Sequence, residues 1–326
     1  MTMIKAVRIH EVGGPEVMKL EEIDLAPPGP GEVRVKHSAI GLNFIDTYMR
    51  SGLYPAALPC GLGLEAVGVV EELGDGVDNV RLGDRVGYGS GPLGAYADAN
   101  NVHSTRVIKI PDAVDDHSAA AMMLKGMTAQ YLLRQTYCVK PGDTILIHAA
   151  AGGVGLIVCQ WAKHLGATVI GTAGSEEKAT LAKAHGADHV ILYRTEDVAA
   201  KVRELTNGAG VPVVYDAVGK DTFDASLDCL APLGMMVSYG NASGPPPDVN
   251  PLTLSAKGSL FLTRPTLFHY TASPEALAKT AGDLMDVVAS GAVKIEVNQT
   301  YSLSDVVQAH KDLEGRKTTG ATVLIP

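Results

Sequence analysis

Cysteine is scarce and dispersed in this sequence: Cys60, Cys138, Cys159 and Cys229 are the only four, and none forms a C-x-x-C pair. This spacing excludes a zinc ribbon and a disulfide-stapled fold, and is that of a reduced, cytoplasmic chain. A basic excess is lacking too. The 27 Lys and Arg face 36 Asp and Glu, for a net charge of −9, which repels nucleic-acid phosphates and anionic lipid, so neither nucleic acid nor membrane is an expected partner. No apolar run reaches the about 20 residues that span a bilayer. The opening MTMIKAVRIHEVGG carries Lys5, Arg8 and Glu11 where an export signal needs an apolar core, so an untargeted soluble chain is expected. The 10 histidines form no H-E-x-x-H spacing, and no G-x-S-x-G nucleophile elbow occurs, which leaves hydrolase readings without support.

What is present is length and apolar content. With 326 residues, 46% of them hydrophobic, the chain is long enough for two buried cores. Up to about Leu124 it is strand-like and broken by turn residues, in KAVRIH, APPGPGEV, VRVKHSAIG, AVGVVEELG and GDRVGYG, which predicts a mainly β domain over 1–124. Beyond it, the β-branched runs TILIHAA, TVIGTAG, HVILYR, VPVVYDAVG and MMVSYGNASG alternate with helical stretches. That alternation predicts a doubly wound parallel sheet. SPEALAKTAGDLMDVVASG reads as one long helix and ATVLIP as a closing strand.

The stretch ILIHAAAGGVG, Ile145–Gly155, follows a short strand with residues that have almost no side chain. A dinucleotide-binding unit needs a tight turn after its first strand, close backbone approach to a pyrophosphate, and a helix N-terminus aimed at that charge. Ala150, Gly152 and Gly155 take the three small positions of the G-x-G-x-x-G pattern, with Gly153 and Val154 between them, and the apolar helix GLIVCQWAKHLGA follows. GLGLEA, Gly61–Ala66, also fits the pattern but precedes a strand, and is read as a turn. NAD-binding units end their second strand in an acid that holds the ribose 2′-hydroxyl. Here that strand ends in Thr172, Ala173, Gly174 and Ser175, then Lys178 follows, and Tyr193 closes the next strand. A donor-rich pocket without an acid predicts NADPH. Glu176 and Glu177 suit the acidic first turn of a helix.

Taken together, GGPEVM, IGLNFIDTYMRSGLYP, GLGLEAVGVVEELG, GDRVGYG, AAAGGVG, VVYDAVG and GSLFLTRP make the chain resemble, from end to end, the zinc-free NADPH:quinone oxidoreductases of the medium-chain dehydrogenase/reductase superfamily, the ζ-crystallin group. The resemblance implies an α/β protein with a GroES-like catalytic domain (1–124), a Rossmann NADPH domain (125–265), a C-terminal segment (266–326) returning to the catalytic domain, a homodimer, and substrate in the cleft between the domains. Zinc-dependent relatives carry a Cys two residues after the glycine equivalent to Gly41 and a His in a G-H-E segment. This chain has Asn43 and Leu64 there, which leaves too few ligands for a catalytic zinc. Without a Lewis acid the expected acceptor is an electron-poor quinone or conjugated alkene.

From the same resemblance come the expected site residues. Asn43, Tyr48 and Tyr54 line the catalytic side, where amide or phenol hydrogen bonds orient the nicotinamide or stabilise charge on an acceptor oxygen. Asp46, Thr128, Tyr131, Tyr239, Gly240, Asn241, Arg264 and Arg316 join the glycine loop, Gly174, Ser175, Lys178 and Tyr193 as cofactor residues. Two alternatives stay open: reduction of a conjugated C=C bond of enoyl-thioester type, for which Tyr54 is the proton donor, and a dinucleotide- or RNA-binding protein without catalysis.

Overall fold

The computed structural model describes residues 2–326, and the chain divides into two compact units. One comprises the residues up to 127 together with 271–285 and 295–326; the other comprises 128–270 and 286–294.

The first unit holds β1 (Thr2–Ile9), β2 (Lys19–Leu25), β3 (Glu32–Leu42), α1 (Phe44–Ser51), β4 (Cys60–Gly61), β5 (Ala66–Leu73), β6 (Arg85–Tyr88), β7 (Ala99–His103), β8 (Ile108–Lys109) and most of α2 (Asp116–Tyr131). Its strands form a small sheet, β2-β1-β4, and a larger one in which β3 pairs with β5 and β7. β3 is buried along almost its whole length, and Val33, Val35, Ile40 and Leu42 pack with Val7, Ile9, Val70, Val86 and Tyr88 in one core. The polar residues of β3 are accommodated within this burial: Arg34 donates to the Ala26 carbonyl, His37 Nδ1 meets the Ala97 carbonyl, and Lys36 is exposed.

The second unit runs β9 (Thr144–Ile147), α3 (Gly153–His164), β10 (Thr168–Ala173), α4 (Glu176–Ala184), β11 (His189–Leu192), α5 (Val198–Leu205), β12 (Val211–Asp216), α6 (Phe223–Cys229), β13 (Leu230–Ser238), α7 (Pro251–Ala256), β14 (Phe261–Thr263) and α8 (Leu267–Tyr270). The sheet is parallel throughout, in the order β11-β10-β9-β12-β13-β14. Numbered within the unit this is 3-2-1-4-5-6, the Rossmann order, whose strand sequence reverses beside the first strand and opens a crevice at the carboxyl ends there. The helix expected from SPEALAKTAGDLMDVVASG is α9 (Pro274–Ala289). Beyond it, β15 (Val297–Ser302), α10 (Val306–Glu314) and β16 (Ala321–Ile325) belong to the first unit. β16 pairs antiparallel with β3 through Thr322, Val323 and Leu324 opposite Leu42, Gly41 and Ile40. The closing strand thus lies against the residues that lead into α1.

Candidate active site

In the second unit, the carboxyl end of β9 turns through Ala149 at φ 53°, a left-handed conformation that costs a residue with a Cβ about 1 kcal/mol or more. The turn places Gly152 as the N-cap of α3, without any side chain to cap it. The first N–H groups of α3, those of Gly153, Val154 and Gly155, are therefore the donors a helix start offers an anion. Gly155 has to be glycine, because a Cβ there would stand 2.3 Å from the Ala149 carbonyl oxygen and 2.7 Å from that of Ala150.

At the end of β10 the Ser175 hydroxyl caps α4, accepting from the Lys178 N–H at 3.3 Å. The Tyr193 hydroxyl lies beside Gly174, so Gly174, Ser175, Tyr193 and the Lys178 backbone are neighbours. Glu176 and Glu177 occupy the first turn of α4.

A buried network that sequence reasoning did not find ties the strand ends beneath this loop. Asp216 Oδ1 accepts from the N–H groups of Val218 and Gly219 at 2.7 and 3.0 Å. Its Oδ2 accepts from the hydroxyls of Thr222 and Ser226 at 2.7 and 2.8 Å. Because the Ser226 hydroxyl gives its proton to Asp216, it must accept from His148 Nε2–H, 2.9 Å away, and His148 Nδ1 then accepts from the Thr172 hydroxyl at 3.1 Å. Burial lowers the His148 pKa and keeps the ring neutral, as this pattern requires. His148 directly follows β9, Thr172 lies in β10 and Asp216 ends β12, so one chain of bonds fixes three neighbouring strand ends. The signal in the sequence was a polar residue within an otherwise apolar strand end, as in ILIH.

Of the remaining expected residues in this unit, Thr128 and Tyr131 are buried on α2, and Tyr131 stacks on Tyr270 with centroids 4.5 Å apart. Just past Tyr131 the helix widens to a π-turn over Leu132–Thr136, an irregularity common at functional sites. Tyr239 is half-buried, Gly240 and Asn241 are buried, and the neighbouring Ser238 hydroxyl is enclosed without a hydrogen-bond partner. Arg264 is exposed and donates to the Pro265 carbonyl at 3.3 Å.

In the first unit, Asn43 directly follows the long β3 strand and caps α1 in a capping box with Asp46. Asp46 Oδ2 accepts from the Asn43 N–H at 2.8 Å and from the Tyr96 hydroxyl at 2.7 Å, whereas Oδ1 is buried with no partner. Burial pushes the Asp46 carboxyl up to about 7, opposed by those hydrogen bonds and by Lys125. Behind Tyr96 lie His310, Arg50 and Glu314. His310 Nε2 is 3.1 Å from the Tyr96 oxygen, and Arg50 donates to His310 Nδ1 at 2.9 Å and to both Glu314 oxygens at 2.7 and 3.0 Å. Since Tyr96 donates to Asp46, His310 must donate to Tyr96, and every proton in the chain is assigned. Burial and the Arg50 charge depress His310 to about 3, which keeps it neutral. Sequence reasoning missed Tyr96, Arg50 and His310, whose partners are up to 264 positions apart.

Tyr48 and Tyr54 meet edge to face, with centroids 5.3 Å apart, and the Tyr54 N–H donates to the Tyr48 carbonyl. Arg316 is exposed just after α10, at φ 57°.

Asn43 Nδ2 donates to Glu65 Oε2 at 2.8 Å and to the Gly41 carbonyl at 3.3 Å. Glu65 also accepts from Lys125 Nζ at 3.0 Å and from the Leu124 N–H at 2.6 Å. The sequence reading gives Asn43 a donor's role, but both amide hydrogens are engaged inside the protein. Its remaining capacity is that of an acceptor, the second lone pair of an oxygen whose first meets the Asp46 N–H in the capping box. An amide nitrogen turned inward is no metal ligand, and the buried Leu64 has no donor atom. Among the described residues no three His, Cys, Asp or Glu side chains are grouped so as to hold a metal ion.

Residues 29–112 match the alcohol dehydrogenase GroES-like domain and residues 153–290 the family described as zinc-binding dehydrogenase. A quinone oxidoreductase of Pseudomonas aeruginosa is 54% identical over 325 residues, covering 99% of this chain and 100% of that protein. The crystal structure of Escherichia coli quinone oxidoreductase complexed with NADPH superposes with a TM-score of 0.97 at 49% identity, over 99% of this chain and 100% of the other. A 2-haloacrylate reductase of a Burkholderia species is 48% identical, over 99% of both chains.

Proposed function

The chain belongs to the quinone oxidoreductase family of the medium-chain dehydrogenases/reductases, and we propose that it reduces quinones with NADPH, without zinc. The observation that carries the cofactor is the end of β10. The Tyr193 hydroxyl fills the space in which a side chain at Gly174 would begin, and Ser175 and Lys178 stand beside it. The chain has no acid at that point, and the hydroxyls of Ser175 and Tyr193 and the ammonium of Lys178 are the donors assigned to a 2′-phosphate. The side-chain-free start of α3 suits the pyrophosphate. When bound, the dinucleotide supplies the hydride; the protein's residues bind, orient and shield.

In this reading Gly152, Gly153, Val154 and Gly155 hold the pyrophosphate, and Thr128, Tyr131, Tyr239, Gly240, Asn241, Arg264 and Arg316 complete the cofactor site with Asp46. Asn43, Tyr48 and Tyr54 face the reacting groups. A quinone becomes a stabilised hydroquinone anion that water protonates, so no obligatory acid is required of the tyrosines. The domain limits follow the same reading: 1–124 catalytic, 125–265 for NADPH, and 266–326 returning to the catalytic domain. The four cysteines are unpaired and no described helix is long and apolar enough to cross a membrane, which supports a cytoplasmic enzyme. A homodimer is supported by β14, an edge strand of the parallel sheet whose Phe261 is 57% exposed, a surface that a second copy would cover.

NADPH oxidation measured against a panel of quinones and conjugated acids or thioesters tests the assignment. Turnover with quinones exceeding that with every alkene supports it; turnover confined to alkenes replaces it with the second reading, which the 2-haloacrylate reductase relative favours.

A further inference from the structure

Glu65 has none of its surface exposed, and Lys125 is nearly as deeply buried, although neither belongs to the residues expected to meet cofactor or acceptor. A carboxylate and an ammonium taken out of water need a strong reason or many partners. Glu65 has the partners: Leu124 N–H on Oε1, and Lys125 Nζ and Asn43 Nδ2 on Oε2. Room for them exists because residue 41 is glycine. A Cβ there would lie 2.1 Å from Glu65 Oε2 and 2.2 Å from the Ala120 carbonyl oxygen.

The consequence falls on Asn43. Its amide faces two acceptors, Glu65 Oε2 and the Gly41 carbonyl oxygen. Turned over, the amide would set its own oxygen against both of them, so only one orientation survives while Glu65 holds its place. Lys125 Nζ holds Glu65 Oε2, the same oxygen that accepts from Asn43, at 3.0 Å. The order of control runs from ammonium to carboxylate to amide.

We infer that Glu65 and Lys125 are positioning residues that lock Asn43 with Nδ2 inward, so that the side chain offers Oδ1 as an acceptor and selects a ligand group bearing an N–H or O–H at that point. This rests on the proposed nicotinamide-dependent reduction. Two ligand groups have that chemistry: the primary carboxamide of the nicotinamide, and the hydroxyl of the hydroquinone product. An oxyanion does not, since Oδ1 would repel it.

Two pairs of probes separate the sources. For the cofactor, affinity for NADPH is compared with that for its reduced 3-acetylpyridine analogue, whose methyl ketone has no N–H. For the product, inhibition by a hydroquinone is compared with inhibition by its dimethyl ether. In the unaltered enzyme the donor-bearing member of one pair should bind about tenfold tighter, the scale of one hydrogen bond. Glu65→Gln puts one acceptor oxygen in place of two, for which the Leu124 N–H, Lys125 Nζ and Asn43 Nδ2 compete, so it should loosen the amide and reduce that preference by more than twofold. Lys125→Met should act in the same direction, and Lys125→Arg, which keeps the charge, should retain most of the preference. Asn43→Ala combined with Glu65→Gln should lose no more selectivity than Asn43→Ala alone, the signature of action through Asn43. Thermal unfolding of each variant establishes that the fold is kept, and the Lys125 pair reads the inference if Glu65→Gln does not fold. Preferences within twofold of the unaltered enzyme's in both folded variants overturn the inference and leave the cofactor assignment standing. An unaltered enzyme that binds NADPH no better than unrelated nucleotides overturns the assignment itself, and the inference with it.

Discussion

The hydroxyl of Tyr193 stands 2.6 Å from the point at which a Cβ on Gly174 would begin. A side chain at Gly174, at the end of β10 where NAD-binding units carry their acid, would therefore have to displace the Tyr193 hydroxyl. The proposed preference for NADPH rests on the lack of an acid here and on Lys178. Lys178→Ala is expected to weaken NADPH binding by about 1–3 kcal/mol, the scale of one charged hydrogen-bond partner, and to leave NADH unchanged. Fluorescence titration of both nucleotides checks it, and equal weakening of the two removes the 2′-phosphate role.

Gly155 is the glycine with least tolerance in the loop, since its Cβ would meet two carbonyl oxygens of the preceding turn. Backbone cannot rotate away as a side chain can. Gly155→Ala should cost on the order of 1–3 kcal/mol of stability, as overpacking usually does, and displace the start of α3 from its strand. Denaturant unfolding and NADPH affinity should fall together; a stable variant with normal affinity would contradict the packing.

Asp46 supplies a pH dependence with a definite sign. Burial raises its carboxyl from 3.8 to about 7, so between those values the folded protein binds a proton that the unfolded chain has released. Its contribution to stability therefore declines as pH rises through this window and is constant above it. Asp46→Asn removes the titration while its amide oxygen still accepts from Asn43 and Tyr96. His310, depressed to about 3, has the opposite slope below its ordinary range, but it is common to both proteins. Relative to the parent, Asp46→Asn should gain stability between about pH 4 and about pH 7, measured by urea unfolding; an unchanged difference would place the carboxyl in the ordinary range.

Tyr54 separates the two reductions. An enoyl thioester must receive its proton at carbon, whereas a hydroquinone anion takes one from water. Tyr54→Phe should leave quinone turnover within about one order of magnitude, below the roughly 10²–10⁴-fold that a general acid contributes. Collapse of quinone turnover with NADPH affinity unchanged would make the tyrosine an essential acid and favour the alkene reductase.

Chelation is the simplest test of a zinc-independent reaction. With Asn43 engaged through its nitrogen and Leu64 buried, NADPH oxidation should survive prolonged treatment with a strong chelator. Loss of activity restored by added zinc would show a metal site built from other residues.

Much of the fold is legible because its signals are local. The β-branched runs of the second unit, TILI, TVIGTA, HVIL and VPVVYD, each become a strand, since strands covered on both faces need apolar residues throughout. The short edge strand β14 and the polar β15, VNQTYS, carry no such pattern and were not foreseen. GLGLEA shows how neighbours decide a motif: with β5 beginning at Ala66 it leads into a strand, and no helix start stands behind it to meet a phosphate.

By itself, then, the sequence determined the order of strands and helices, the glycine loop before α3, the lack of an acid after β10 and the Asn43 and Leu64 exchanges. All are written in consecutive residues, where spacing and side-chain size are enough. Only the tertiary structure decided what those residues face. Glu65 and Lys125 are 60 positions apart, and Arg50 and His310 are 260 apart. No periodicity links them, because the chain brings them together only when β16 lies beside β3 and α10 supplies His310 to the network behind Asp46. Hydrogen-bond capacity is finite, and Asn43 became an acceptor when folding gave both its hydrogens to Glu65 and Gly41.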